Sequence, residues 1–315
     1  MGETTSAPKN AEANIDPGDA GLVLAEGSPA LSTRAEEQIR ADIVEVGRRL
    51  YARGFVASND GNISARLDDQ RLVTTPKSVS KGFMTPDMMV IVDYDGKRVS
   101  GDRDPSSELP MHLEIYRNRP DVNAVVHAHP PLATGFAVAG IPLTRAVLAE
   151  VVTTLGSIPI AEYGTPSTAE LPAAVRKYIK AHDGLLLANH GAVTCCRTVM
   201  TAYYKMETIE HFAKISLVAR LLGREHLISR EEVERLQGLR GMYGIAAPAP
   251  LCVDGSEGAI DQVLCQVLEA PESSTERLVP DVSSALQRAS RDGEIRLTYG
   301  ELTALITDAV KNLRD

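Results

Sequence analysis

NAVVHAHP at 123–130 and GLLLANHG at 184–191 decide how this chain is built. Each is a short apolar run closed by histidine and a turn former, the pattern of a strand buried on both faces. Side chains two apart on a strand share a face, so His127 and His129 point the same way at the end of the first run. His190 ends the second run and belongs at the same rim of the sheet if the two strands lie close. Three imidazoles with an open position make a catalytic zinc arrangement, whereas closed four-ligand sites are more often structural. Three separately hydrogen-bonded histidines are the alternative that spacing leaves open.

Outward from these runs the chain alternates. Ile39, Ile43, Val46, Leu50 and Tyr51 recur at helical spacing behind Ser32 or Thr33 as cap, and Gly54 ends that helix. Strand-like GNISARL (61–67), QRLVTTP (70–76) and MMVIVDYDG (88–96) follow, bounded by Asp68-Asp69 and Asp95-Gly96. Helices are expected at 106–118, 132–139, 168–182 and 198–222, with strand material near 158–161. The mixture reads as one α/β domain at 33–245, a sheet covered by helices. Residues 1–32 read as a flexible N-terminal extension and 246–298 as a linker with a short helix. At 299–315, Leu302, Leu305, Ile306, Ala309, Val310 and Leu313 draw one apolar stripe along a terminal amphipathic helix.

The 315 residues are 43% apolar and 24% charged, which excludes a disordered chain and supplies a sizeable core. With 33 basic against 42 acidic residues the net charge is -9, unfavourable for nucleic acid. No apolar run is long enough for a membrane span and no secretion signal stands at the N-terminus, so a cytoplasmic protein is expected. Cys195, Cys196, Cys252 and Cys265 lack metal-knuckle spacing and read as reduced thiols.

In PSSELPMHLEIY (105–116), Ser106 or Ser107 caps a helix and leaves Glu108 beside free backbone N–H groups. Two hydroxyls at a helix start suit a phosphate, while Glu108 ligates metal or moves a proton; an ordinary capped helix is the commoner meaning of such a triplet. Gly61-Asn62 in SNDGNISARL lets backbone N–H groups approach a ligand. TTPKSVSKG (74–82) adds Thr75, Lys77, Ser78 and Lys81, either as charge near a phosphate or as a solvated loop.

GNIS (61–64), TTPKS (74–78), PSSE (105–108), AVVHAHP (124–130), ANHG (188–191) and MYG (242–244) occur in the order and spacing of class II aldolases. Over residues 35–245 the chain resembles the aldolase/adducin family, in its L-fuculose-phosphate aldolase branch. The resemblance implies a three-layer α/β/α domain around a central mixed, largely antiparallel sheet. It also implies a homotetramer with sites between neighbouring subunits and one Zn²⁺ per subunit. Carried onto this chain, His127, His129, His190 and Glu108 are the metal ligands, with Glu108 also the acid/base. Gly61, Asn62, Ser106 and Ser107 hold the phosphate, with Lys77 and Ser78 standing where the family has Thr-Gly. Tyr243 matches a C-terminal tyrosine of the pattern. A second tyrosine is missing near Leu148, where Glu150 in LTRAVLAEVV is the substitute proton donor or an ordinary surface glutamate.

The implied reaction is retro-aldol cleavage of a ketose 1-phosphate, such as L-fuculose 1-phosphate, to dihydroxyacetone phosphate and a small aldehyde such as lactaldehyde. A pentulose-phosphate 4-epimerase, a dehydratase and a non-catalytic adducin-like protein share the fold. The terminal helix behind its tether resembles an encapsulation peptide of bacterial microcompartment enzymes, which implies a shell-protein partner; packing on the protein's own tetramer is the alternative.

Overall fold

The computed structural model describes residues 29–242. The expected linker, the terminal helix and Tyr243 lie outside them. The chain runs α1 (Pro29–Ala52), β1 (Asn62–Arg66), β2 (Arg71–Thr74), β3 (Val90–Asp93), β4 (Arg98–Ser100), α2 (Leu109–Asn118), β5 (Ala124–Ala128), α3 (Pro131–Ala139), α4 (Ala149–Thr154), β6 (Ile160–Ala161), α5 (Glu170–Arg176), β7 (Gly184–Leu187), β8 (Gly191–Cys196), α6 (Val199–Leu221) and α7 (Arg230–Gly238). One eight-stranded sheet has the order β4-β3-β2-β1-β5-β8-β7-β6. Every pairing is antiparallel except β6 with β7, so the sheet is mixed and largely antiparallel.

Strand alternation sends apolar residues to two separate cores, giving three layers. Ile63, Ala65, Val126 and Ala128 pack with Ile43, Val46, Leu50, Phe136, Met206 and Ile209 from α1, α3 and α6. Val125, Leu185, Leu187 and Val193 pack on the opposite face with Met111, Ile115 and Val175 from α2 and α5. Central strands buried on both faces explain why their sequences read as unbroken apolar runs.

Several elements differ from the sequence reading. The first helix starts at Pro29, ahead of the expected Ser32/Thr33 cap; proline suits a first turn because its missing N–H would have no partner there. Glu108, not a serine, occupies the position preceding α2. The Ser106 hydroxyl instead accepts from the Glu108 backbone N–H at 3.3 Å. The helix expected at 168–182 is only the short α5. Strand β8 follows β7 immediately through the Asn189-His190 turn, where Asn189 takes a left-handed conformation at φ 54°. Asparagine tolerates that conformation better than most residues.

Gly61 turns the chain into β1 with φ 73°, and a Cβ there would lie 2.8 Å from both the His127 carbonyl oxygen and Val56 Cγ1. Gly61→Ala is therefore expected to lower stability by about 2 kcal/mol, from backbone strain and overpacking together. A denaturant midpoint equal to that of the unmodified protein would contradict this.

Candidate metal centre and anion cleft

Register brings the histidines together. Strand β1 pairs Asn62 with His127, and β5 pairs Ala128 with Ala192 of β8, so the β7–β8 turn carrying His190 arrives beside His129. The three imidazole rings form a near-regular triangle with centroids 4.8, 4.9 and 5.0 Å apart. Each ring offers one nitrogen, and the three lie within 4.8 Å of one another. Gly191 makes the approach possible, because a Cβ on it would sit 2.5 Å from the His129 ring.

Glu108 enters this triangle from the start of α2. Its Oε2 lies 3.3 Å from His127 Nε2 and its Oε1 3.2 Å from His190 Nε2. Asn62 Nδ2 donates to Oε2 at 2.7 Å and fixes the carboxylate against β1. A second rung lies behind it. Ser64 Oγ sits 2.6 Å from Nδ1 of the buried His112 and 2.9 Å from the Tyr116 hydroxyl. Beyond that, Arg66 Nη2 donates to the Tyr116 carbonyl at 2.9 Å and the guanidinium stacks over the Tyr116 ring. Residues two apart on β1 thus meet residues four apart on α2, because the two rises nearly match.

The donors suit a divalent cation. The His127 Nδ1–H donates to the Ala192 carbonyl at 2.9 Å, which turns its Nε2 lone pair inward. Asp60 Oδ2, 3.4 Å from His129 Nδ1, favours the same tautomer there. Two Nε2 atoms of His127 and His129 then face each other at 3.1 Å, a separation that a shared cation relieves. Glu108 Oε1 is buried and meets only the His190 ring, at 3.2 Å, which leaves it available as a further ligand atom.

The carboxylate and the rings also shift one another's charge. Burial alone would raise the Glu108 carboxyl, but the His127 and His190 rings hold it well below the usual carboxylate range. Burial opposes charge on His127, yet the Glu108 carboxylate lifts it above the ordinary histidine value. Burial, with His127 and His190 alongside, pushes His129 down to about 3, so its ring is neutral at pH 7.

In front of the triangle lies a cleft of ≈ 240 Å³. The structure gathers Gly61, Asn62, Lys77, Ser78, Ser106, Ser107 and Glu108 around it, with His129 and His190. The 74–78 loop is held against the start of α2 by Ser106 N donating to Thr75 O and Lys77 N donating to Asp104 O. Ser78 adopts φ 59°, a left-handed conformation strained for a residue with a side chain. Glu150 is exposed at the start of α4 and does not line this cleft. The structure adds Asn59, Asp60, Lys81, Pro166 and Ser167 to the lining. Of these only Lys81 carried a sequence signal, as part of a charged loop; the 166–167 segment has none, since it approaches only through the fold.

Comparison with known proteins agrees with the geometry. Residues 41–217 match the Class II Aldolase and Adducin N-terminal domain. The chain is 34% identical over 206 residues to 5-deoxy-D-ribulose 1-phosphate aldolase of Bacillus thuringiensis serovar kurstaki, covering 65% of this chain and 96% of that protein. It is 32% identical over 191 residues to 3-oxo-tetronate 4-phosphate decarboxylase of Pectobacterium atrosepticum, covering 59% and 87% respectively. A solved L-fuculose 1-phosphate aldolase superposes with a TM-score of 0.60 at 29% identity, over 64% of this chain and 95% of that one. The chain belongs to the class II aldolase/adducin family, whose homologues are metal-dependent lyases, and it resembles the L-fuculose-phosphate aldolases among them.

Proposed function

We propose that this enzyme cleaves a ketose 1-phosphate, L-fuculose 1-phosphate or a similar deoxyketose phosphate, to dihydroxyacetone phosphate and a small aldehyde. The observation that carries the reading is the convergence of three imidazole nitrogens and the Glu108 carboxylate at the floor of a polar cleft. His127, His129, His190 and Glu108 would hold one Zn²⁺ per subunit. A cation there supplies a Lewis acid that stabilises the negative charge developing on the ketose oxygens. An adducin-like structural role requires none of these four ligands, and all are in place.

The chain's own groups orient the substrate and move protons. Gly61, Asn62, Ser106 and Ser107, with Lys77 and Ser78, hold the phosphate at one end of the cleft. As the C3–C4 bond breaks, the C4 hydroxyl gives up its proton and becomes the aldehyde carbonyl, and the ionised Glu108 carboxylate takes that proton up. Glu108 then delivers it to the electron pair left on C3, and dihydroxyacetone phosphate leaves. Asn62 keeps Glu108 aimed during the transfer by its hydrogen bond to Oε2. The C4 end falls to Tyr243 and Glu150; because Glu150 is exposed and does not line its own cleft, it would serve a neighbouring subunit's site in a homotetramer.

A second reading, decarboxylation of a phosphorylated 3-oxo acid, is favoured by the relative that bears that name. It also breaks a carbon–carbon bond and leaves a carbanion for Glu108 to protonate. An epimerase or a dehydratase would use the same ligands.

Zinc-loaded protein given L-fuculose 1-phosphate is expected to release dihydroxyacetone phosphate, and a chelator is expected to stop it. No release from zinc-bound protein, with L-fuculose 1-phosphate or 5-deoxyribulose 1-phosphate, would overturn the aldolase reading; carbon dioxide from a 3-oxo-tetronate phosphate would establish the second. Glu108→Gln is expected to lower kcat by about a hundredfold or more, the usual scale for losing a general acid, while the melting temperature stays close to that of the unmodified enzyme. Full activity in that variant would remove Glu108 from the mechanism. For the stripe at 299–313, we infer a microcompartment targeting role: residues 270–315 fused to a fluorescent protein are expected to collect in shell-producing cells, and a diffuse signal would contradict it.

A further inference from the structure

We propose that Lys81 is the buried cation of the anion subsite, and that the substrate's phosphomonoester supplies its missing counter-charge; the inference rests on the phosphorylated-substrate reading above. Lys81 is only 1% exposed and nevertheless lines the cleft. Its Nζ donates to the carbonyls of Asn59, at 2.9 Å, and Val79, at 2.6 Å. An ammonium has three donors, so one remains without an acceptor among the described residues.

Lysine is almost never buried without a charged partner, because carbonyl dipoles alone compensate poorly for lost hydration. The two carboxylates whose charge reaches Lys81 are those of Asp60 and Glu108. Neither forms an ion pair with it: Asp60 faces His129, and Glu108 is shared between His127 and His190. Burial brings Lys81 down to about 8, only partly offset by those two carboxylates. The ammonium persists at neutral pH but is under-compensated.

Position supplies the rest. Asn59 precedes the Gly61-Asn62 turn and Val79 follows Lys77-Ser78, so the two carbonyl anchors set the ammonium at the seam between two loops that line the cleft. Ser106 and Ser107 also line it, at the approach to α2. A phosphomonoester dianion has enough oxygens to meet a lysine and serine hydroxyls together, and its charge matches the deficit. Lys77, by contrast, is exposed, and water already solvates it.

Calorimetric titration of inorganic phosphate into zinc-loaded protein tests the assignment. Lys81→Met is expected to weaken phosphate binding by about tenfold to a hundredfold, the scale of a charge-assisted hydrogen bond, with zinc affinity unchanged; Lys81→Arg is expected to retain part of the binding. Phosphate binding undiminished in Lys81→Met would overturn the inference, as would parallel loss of zinc and phosphate affinity, which would make the lysine a loop clamp only. Should Lys81→Met fail to fold, a crystal structure of the unmodified protein soaked in phosphate decides: an oxyanion within hydrogen-bond distance of Nζ supports the assignment, and one bound elsewhere ends it. Phosphate held by Lys81 in a protein that releases no dihydroxyacetone phosphate would leave this inference standing and remove the proposed substrate.

Discussion

The antiparallel pairing of β5 with both β1 and β8 is the constraint on which the rest of the molecule depends. Strand β5 supplies His127 and leads directly into His129, β1 sets Asn62 opposite His127, and β8 draws in the turn that carries His190. A one-residue slip in either pairing would turn every side chain of the slipped strand to the other face. Both faces of these central strands are buried in separate apolar cores, which fixes the register through packing and not through the polar groups. The cost of holding three imidazoles and a carboxylate within contact of one another is thereby borne by apolar burial elsewhere.

Helix α2 completes the site by a matching of rises. Asn62, Ser64 and Arg66 on β1 face Glu108, at the entry to α2, and His112 and Tyr116 on it, and each rung is a hydrogen bond or a stacking contact. Glu108 stands at the helix entry, where a capping residue would ordinarily bond to the helix's own N–H groups. Its side chain makes no such bond. The carboxylate is committed to the imidazoles, and Ser106 takes over part of the capping. Function here displaces a local preference, and the neighbouring serine compensates for it.

Much of this was legible in the sequence where chemistry and periodicity coincide. The His-Ala-His spacing on an apolar run predicts two rings on one face, and the structure places them so. Glycine before Asn62 reads as a place where backbone N–H groups approach a ligand; the structure gives it another reason as well, since the chain passes within contact of the His127 carbonyl there. Other features carry two meanings at once. Asn189-His190-Gly191 reads as a ligand motif, which hides its second role as a hairpin turn, and β8 behind it is missed as a separate strand. Lys81 reads either as charge near a phosphate or as part of a solvated loop, because sequence cannot show that its carbon stem is covered. Glu150 reads either as a substitute proton donor or as an ordinary surface glutamate, and α4 leaves it exposed and off the cleft of its own subunit. The misreadings concern burial and turn direction, which tertiary packing decides.

The central claim is that the three imidazoles and Glu108 form one metal site. Anomalous diffraction recorded on either side of the zinc absorption edge tests it most directly. The account predicts a single strong peak about 2.0–2.1 Å from a nitrogen of each of His127, His129 and His190, the usual zinc–histidine distance, with a Glu108 oxygen in the coordination shell. A peak elsewhere, or none in crystals grown with zinc, would contradict it.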